Sequence, residues 1–240
     1  MARIGMLTPS SNTILEPVTG KLLSGIAGVT AHFSRIRVTQ IALDDASSAQ
    51  FAAEPMLGAA GLLADARVDA IVWNGTSGSW LGLDRDRELC RLLREATGMP
   101  ATTSALAMTA AYEALGAKRI ALVTPYTADV NARIAEGYGR AGLTVPLRLA
   151  SGLSANEAFA NVPAEAIAGM IARAAETPGV DAVAVVCTNF GAAGLAADAE
   201  RRYGVPVLDS VSVTAWQALR LLGIDGRPLA AEWGRIFEIV

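Results

Sequence analysis

The sequence contains one histidine and two cysteines, and only 5% of its 240 residues are aromatic. The histidine, His32, lies inside a predicted strand, which makes it a poor candidate for a zinc ligand or for the base of a Ser-His-Asp triad. A Gly-x-Gly-x-x-Gly match at 137–142 ends a predicted helix and precedes a strand, the reverse of the order that phosphate binding requires. The sequence therefore offers no candidate metal centre or phosphate-binding loop.

Clusters of Lys and Arg are also missing, and the net charge is −3, so the sequence has no nucleic-acid-binding footprint. No apolar run is long enough to cross a bilayer, and the start MARIGMLTP leads directly into a predicted strand, without the apolar segment of a secretion signal. With two cysteines and no metal-ligand spacing, we expect a cytoplasmic protein with reduced thiols. Neither a nucleic acid nor a membrane is an expected partner.

The sequence does contain an internal repeat. Three segments of the first half recur in the same order, and at nearly constant spacing, in the second half. RIGMLTPSSNT from Arg3 resembles RIALVTPYTADVN from Arg119, VDAIVWNGTSG from Val68 resembles VDAVAVVCTNFG from Val180, and GMPATTS from Gly98 resembles GVPVLDS from Gly204. Together these matches indicate two related halves.

Each half alternates apolar strands with amphipathic helical segments, which predicts an α/β fold. We expect two similar subdomains, each a mainly parallel sheet flanked by helices, related by a pseudo-two-fold axis with the site between them. The predicted division is residues 1–100 plus about 210–240 for the first subdomain and 101–209 for the second. The predicted strands are 3–7, 29–38, 70–73 and 101–103, then 120–124, 144–149, 182–186 and 205–208.

Four polar turns follow predicted strands: TPSSNT, NGTSG, TPYTADVN and CTNFG. Ligands of parallel sheets bind beyond the carboxyl ends of the strands, so the four turns are expected to converge on one cleft. None contains Arg or Lys, but hydroxyl and backbone N–H groups can hold a carboxylate and stabilise an enediolate formed from it. Each Ser, Thr or Asn alone also fits a turn or a helix cap, as Asn12 does.

The repeat aligns Cys187 in the second half with Gly75 in the first. Because Cys187 follows a buried strand and opens a polar turn, we expect backbone N–H groups and a following helix N-terminus to lower its pKa, so that it exchanges a proton near neutral pH. Free cysteines are also commonly inert packing, and Cys90, among the leucines of a predicted helix, is assigned to the core.

These halves, with a Gly-Thr turn and a Cys-Thr turn at equivalent strand ends, resemble the aspartate/glutamate racemase superfamily over nearly the whole length, and within it the maleate isomerase and arylmalonate decarboxylase branch. The resemblance implies a buried site between two α/β subdomains, with no cofactor and no metal. It also implies two facing cysteines in racemases and maleate isomerases, and a glycine in place of the first one in arylmalonate decarboxylase. Cys187 and Gly75 are therefore assigned as the catalytic positions.

The same resemblance assigns residues to the substrate carboxylates. PSSNT, with Asn12, is similar to the isomerases, in which this asparagine binds a carboxylate. Tyr126, in TPYTADVN, matches a carboxylate-binding tyrosine of both enzymes. Asn156, in SANEAFANVP, resembles a further carboxylate-binding asparagine of the isomerases.

The GTS segment matches the decarboxylase instead, in which its Thr and Ser belong to a dioxyanion hole. Thr76 and Ser77 are therefore assigned to substrate binding, together with Thr188. Thr188 stands where the decarboxylase is expected to have glycine, so the oxyanion site is expected to differ in shape. Trp73 and Trp80, beside the first turn, fit an aryl pocket and fit core or interface packing equally well.

The leading interpretation is a cofactor-independent decarboxylase of a malonate-type or related dicarboxylic acid, in which one cysteine protonates an enediolate. The first alternative is maleate cis-trans isomerase or Asp/Glu-type racemase activity on a small dicarboxylate. The second is a non-catalytic carboxylate-binding protein, since such folds host unrelated functions. A homo-oligomer is compatible with the sequence, which does not fix the oligomeric state.

Overall fold

Short runs of Val, Ile, Leu and Ala form the central strands, because strands buried on both faces need apolar side chains on both. The computed structural model describes residues 1–239, in which every residue of β3 and β7 is buried. The strands of the first half are β1 (Ala2–Pro9), β2 (Val29–Ile36), β3 (Ala70–Trp73) and β4 (Ala101–Thr103). Those of the second half are β5 (Ile120–Thr124), β6 (Arg148–Ala150), β7 (Ala182–Val185) and β8 (Val207–Asp209).

The two halves build the same sheet. Strand order is β2-β1-β3-β4 in the first and β6-β5-β7-β8 in the second, and all neighbouring strands within each sheet are parallel. Each strand thus has a counterpart at the same place in the other sheet. The predicted fold is confirmed: two similar α/β subdomains, related by a pseudo-two-fold axis, enclose a site between them.

Helices connect the strands and cover the sheets. The first half contains α1 (Leu15–Leu23), α2 (Asp45–Ala49), α3 (Ala53–Asp65), α4 (Gly78–Leu81), α5 (Leu83–Thr97) and α6 (Ser104–Leu115). The second half contains α7 (Ala128–Arg140), α8 (Asn156–Phe159), α9 (Ala164–Ala175), α10 (Ala196–Tyr203), α11 (Ser210–Leu221) and α12 (Ala230–Trp233). Short 3-10 turns lie at Ala193–Leu195, Arg227–Leu229 and Arg235–Glu238. Within residues 1–239, none of these helices combines the length and hydropathy that a bilayer crossing requires.

Most predicted strands match the observed ones closely, and the largest differences involve proline. The strand predicted at 144–149 is observed only as Arg148–Ala150, and Thr144 contributes an isolated bridge to Arg119. Pro146 lies between them and has no N–H to donate to a ladder. Pro206 similarly precedes the start of β8, which was predicted to begin at 205.

The helix α7 ends just before Gly142, whose φ is +83°, so the Gly-x-Gly-x-x-Gly match is a helix end rather than a phosphate-binding turn. The strand β4 is paired with β3, so the first sheet extends to Thr103. The division of the chain at residues 100 and 209 stays a prediction.

Candidate active site

The ends of β1, β3, β5 and β7 surround one small cavity of about 20 Å³. All but one of the residues predicted to form the site line it, namely Gly75, Thr76, Ser77, Tyr126, Asn156, Cys187 and Thr188. The remaining lining residues are Pro9, Val38, Ile41, Phe51, Trp73 and Trp80. A cavity of this volume holds about one water molecule, so a dicarboxylate requires it to expand on binding.

Gly75 and Cys187 line the same cavity, as the repeat predicts. Cys187 directly follows β7, is 3% exposed and donates its backbone N–H to Ser210 Oγ at 3.2 Å. Its Sγ accepts the backbone N–H of Asn189 at 3.3 Å. The thiol is therefore held in one place by the turn that follows the strand.

The predicted lowering of the Cys187 pKa is wrong. Burial raises the pKa to about 12, although hydrogen bonds with the Tyr126 hydroxyl and the Asn189 N–H act in the opposite direction. The helix N-terminus expected behind the cysteine is also missing, since the next helical turn begins only at Ala193. At neutral pH Cys187 is therefore an uncharged thiol, which can donate a proton but is a weak nucleophile.

Tyr126 joins the two halves through its hydroxyl, which lies 2.9 Å from Thr76 Oγ1. Its ring packs edge-on against Trp80 and against Phe159, with centroids 5.4 Å away in each case. Burial, with a further contribution from Cys187, raises the pKa of the Tyr126 hydroxyl well above its usual value of 10. Tyr126 is therefore a neutral donor held beside both Thr76 and Cys187.

A second hydrogen bond joins the halves in the opposite direction. Asn12 Nδ2 donates to Thr188 Oγ1 at 3.1 Å, and Thr188 Oγ1 in turn donates to the Asn74 carbonyl at 3.0 Å. Tyr126 and Asn12 both follow the first strand of their half, and each contacts the threonine after the third strand of the other half. The two hydrogen bonds are therefore related by the same pseudo-two-fold axis as the sheets.

Asn12 is the predicted site residue that does not line the cavity. Its Oδ1 accepts the N–H groups of Ile14 at 3.0 Å and Leu15 at 2.9 Å, so it caps the first turn of α1. Both ends of its amide are thus hydrogen-bonded within the protein, and its contact with the site runs through Thr188.

Asn156 and Asn189 form a neighbouring polar cluster. Asn156 Nδ2 donates to Ser11 Oγ at 2.8 Å, and the backbone carbonyl of Asn156 accepts a hydrogen bond from Asn189 Nδ2 at 2.6 Å. Asn189 Oδ1 also accepts the backbone N–H of Thr13 at 3.0 Å. Asn189 therefore supports the wall of the site, a role that its place in the CTN segment hints at but does not specify.

The apolar wall is the part of the site that the sequence leaves least defined. Val38, Ile41 and Phe51 come from the connection between β2 and α3, which includes the short helix α2 and lies outside the repeated segments. Trp73 is fully buried and Trp80 is 6% exposed. Among the residues that the structure describes, those lining the cavity carry no charged side chain, so the interior has a low effective dielectric.

Comparison with known proteins finds similarity to arylmalonate decarboxylase and to maleate isomerases. A sequence model of the family described as arylmalonate decarboxylase matches residues 12–237. Arylmalonate decarboxylase of Bordetella bronchiseptica is 35% identical over 147 residues, which cover 61% of this chain and 61% of that enzyme, somewhat less than two thirds. Maleate isomerase of Pseudomonas putida KT2440 is 28% identical over 240 residues, with 93% and 92% of the two chains covered.

The fold is shared with solved structures of the same group. The maleate isomerase Iso of Pseudomonas putida S16, solved as a cysteine-to-alanine variant with maleate, superimposes with a TM-score of 0.87 at 27% identity. The superposition covers 97% of this chain and 98% of that one. The two proteins therefore share the fold over nearly their whole length.

Proposed function

Since the chain belongs to the arylmalonate decarboxylase family, we propose that it is a cofactor-independent decarboxylase of a malonate-type dicarboxylic acid. The observation that carries this proposal is the asymmetry of the cavity, in which a single uncharged thiol, Cys187, shares the lining with Gly75. One proton donor and no second thiol suit a reaction that generates a carbanion by losing CO2 and then protonates it once.

Thr76, Ser77 and Tyr126 hold the carboxylate that the product retains. All three line the cavity, and the Thr76 and Tyr126 hydroxyls lie 2.9 Å apart, close enough to bind the same carboxylate. When the bond to the other carboxylate breaks, its electron pair moves onto the retained carboxylate and forms an enediolate. Hydroxyl donors stabilise that enediolate more than the ground-state carboxylate, because more negative charge accumulates on its oxygens.

The leaving carboxylate lies against the apolar wall. The side chains of Pro9, Val38 and Ile41 offer it no hydrogen-bond donor. Within residues 1–239, the cavity is also lined by no charged side chain. A carboxylate that has lost its water there is poorly solvated, and departure as neutral CO2 relieves the cost. The carbon–carbon bond therefore breaks on the side of the wall rather than on the side of the hydroxyls.

Cys187 completes the reaction by transferring its S–H proton to the α-carbon of the enediolate. Because burial raises its pKa to about 12, the thiol carries that proton at neutral pH. The thiolate left behind is stabilised by the Asn189 N–H at 3.3 Å and by the Tyr126 hydroxyl, and it regains a proton from water when the product leaves. Delivery from one fixed sulfur predicts a single product enantiomer.

Isomerisation of maleate, or racemisation, is the second candidate. It is supported by the similarity to maleate isomerases, which covers 93% of the chain, and by the Asn12–Thr188 and Asn156 clusters on the same side of the site. It requires a thiolate or another base, and the high pKa of Cys187 opposes the former. A carboxylate-binding protein without chemistry is the third candidate.

Proton NMR in D2O tests the three together, with arylmalonates, alkylmalonates, maleate and single-enantiomer amino and hydroxy acids as substrates. We expect loss of CO2 from a malonate and one deuteron at the α-carbon of the product. Fumarate from maleate, or α-deuteration without loss of carbon, would replace the decarboxylase proposal with the second candidate. Thermal stabilisation by a dicarboxylate without turnover of any compound would favour the third.

A further inference from the structure

The space that a second thiol would need is filled by an indole. A Cβ atom added at Gly75 would overlap the Cε2, Cζ2 and Nε1 atoms of Trp73. Trp73 is the last residue of β3, two residues before Gly75, and its ring lies directly on the glycine. The glycine thus makes room for the ring, and the ring covers the glycine face of the cavity.

The other half of the molecule shows the opposite arrangement. Val185 ends β7 at the position equivalent to Trp73, and Cys187 stands at the position equivalent to Gly75. In the second half, the smaller Val185 comes two residues before the thiol of Cys187. In the first half, the larger Trp73 comes two residues before Gly75. The indole therefore takes the place of the thiol within an otherwise repeated backbone.

The polar edge of this indole is unsatisfied. Trp73 is 0% exposed, and its Nε1–H has no hydrogen-bond partner. Trp216 shows the usual arrangement, since its Nε1–H donates to the Ile239 carbonyl at 2.9 Å. A buried N–H without an acceptor costs free energy, and a bound ligand that supplies the acceptor removes that cost.

The position of the N–H indicates which ligand atom it meets. Nε1 is one of the ring atoms that lie on Gly75, and Thr76 and Ser77 are the next residues of the chain. These are the hydroxyls assigned above to the retained carboxylate. Of the buried polar side-chain atoms that lack a partner within residues 1–239, Trp73 Nε1 is the one that belongs to a residue lining the cavity.

We propose that Trp73 is a further catalytic residue: its Nε1–H donates a hydrogen bond to the retained carboxylate, and its ring closes the face opposite Cys187. The inference rests on the proposed function for the identity of that carboxylate. The N–H joins Thr76, Ser77 and Tyr126 as a fourth donor to the enediolate. The ring keeps water from the α-carbon on the Gly75 side, so that only Cys187 protonates it.

The first test is binding, which needs no turnover. Protein labelled with 15N in its indole groups has four tryptophan signals, and the one absent from Trp73→Phe belongs to Trp73. Phenylacetate, propanoate and maleate are the probes. We expect the Trp73 Nε1–H signal to move downfield when a probe binds, and the Trp216 signal, which already has a partner, to stay in place.

The outcomes separate this inference from the proposed function. A probe that shifts the signal of Trp80, which also lines the cavity, but leaves the Trp73 N–H unchanged overturns the role of the Trp73 indole alone. A spectrum that responds to none of the three probes overturns carboxylate binding and this inference together. A shifted Trp73 signal in a protein that releases no CO2 from any malonate keeps the binding role and removes the decarboxylase.

Two variants then divide the roles of the ring and of its N–H in turnover. Trp73→Phe keeps most of the ring but removes the donor, so we expect kcat to fall by about 10- to 100-fold with a smaller change in KM and an unchanged enantiomeric excess. Trp73→Val also opens the wall, so we expect the enantiomeric excess to fall as well. Full activity in Trp73→Phe contradicts the donor, and an unchanged enantiomeric excess in an active Trp73→Val contradicts the wall.

Discussion

The turns after β3 and β7 have nearly the same backbone plan but opposite side chains. The first combines Trp73 with Gly75, and the second combines Val185 with Cys187. Large and small have exchanged places, so that one face of the cavity carries the Cys187 thiol and the other the Trp73 indole. Under the proposed function, exchanging two side chains between the halves is enough to make the site of a symmetric scaffold asymmetric.

The largest effect is expected from removing the thiol. Cys187→Ala leaves the second half without a proton donor, so we expect turnover of the best malonate to fall by at least about 10³-fold. Substrate binding remains, because the hydroxyls of Thr76 and Tyr126 are untouched. Single-turnover NMR in D2O measures the loss, and titration calorimetry with maleate checks that binding survives.

Cys90→Ala is the matched control, because Cys90 is the other cysteine of the chain and lies buried in α5, away from the cavity. Removing its small side chain costs about 1 kcal/mol of stability, and we expect the activity to stay within about 2-fold of the original. Equal losses in the two variants would mean that Cys187 acts through packing.

Two substitutions would give the first half the side chains of the second half at positions 73 and 75. Gly75→Cys alone places a Cβ inside the Trp73 ring, so we expect a stability loss of about 1–3 kcal/mol and little new activity. Trp73→Val combined with Gly75→Cys copies the arrangement of Val185 and Cys187 into the first half. We expect this double variant to exchange the α-proton of a single-enantiomer product acid with D2O and to racemise it.

Trp73→Val without the second change is the control for the double variant, since it opens the wall but adds no thiol. Racemisation that is equally fast in both would show that water, rather than the new thiol, supplies the second proton. Racemisation by Gly75→Cys alone, at the rate of the double variant, would show that the indole moves aside without cost.

A smaller effect is expected from removing either of the two equivalent hydrogen bonds between the halves, Tyr126–Thr76 and Asn12–Thr188. Tyr126→Phe removes a hydroxyl that bonds Thr76 at 2.9 Å, and we expect kcat/KM to fall by about 10- to 100-fold with little loss of stability. Asn12→Ala removes the equivalent bond together with the α1 cap, and we expect it to lower the free energy of unfolding by about 1–2 kcal/mol.

Steady-state kinetics and urea unfolding of both variants measure this contrast. A loss of activity in Asn12→Ala as deep as in Tyr126→Phe, at an unchanged stability, would place Asn12 in direct contact with the substrate. A stability loss confined to Tyr126→Phe would reverse the two assignments.

Much of this site could be predicted from the sequence, because most of its residues lie in the repeated segments. The aligned Val-Asp-Ala segments place Gly75 and Cys187 at equivalent strand ends, and parallel sheets bring such ends together. The raised pKa of Cys187 could not be predicted, since it results from burial by residues distant in the chain. Nor could the side-chain orientation of Trp73 or the contribution of Phe51, which comes from a connection outside the repeated segments.

The ends of β4 and β8 also differ in their side chains, although both cap the following helix and lie beside a buried carboxyl group. Thr103 caps α6 through its hydroxyl, which also donates to the buried Asp86, whereas the equivalent Asp209 caps α11 with its own carboxylate. Burial raises the pKa of both acids to about 7, in opposition to their hydrogen bonds. Each half therefore holds a buried carboxyl group close to the end of its fourth strand.

The smallest expected effect on turnover follows from Asp86, which does not line the cavity, and its effect is on stability instead. A pKa raised from 3.8 to about 7 means that the folded state holds a proton that the unfolded chain has released, so stability declines as pH rises through that window. We expect Asp86→Asn to remove up to about 4 kcal/mol of that decline, measured by urea unfolding between pH 4 and 7. Asp225→Asn should leave the decline unchanged, because the Arg227 partner lowers the pKa of Asp225 to about 2 and keeps it ionised throughout. An unaltered slope in Asp86→Asn would mean that Asp86 keeps its ordinary pKa of 3.8 in the folded protein.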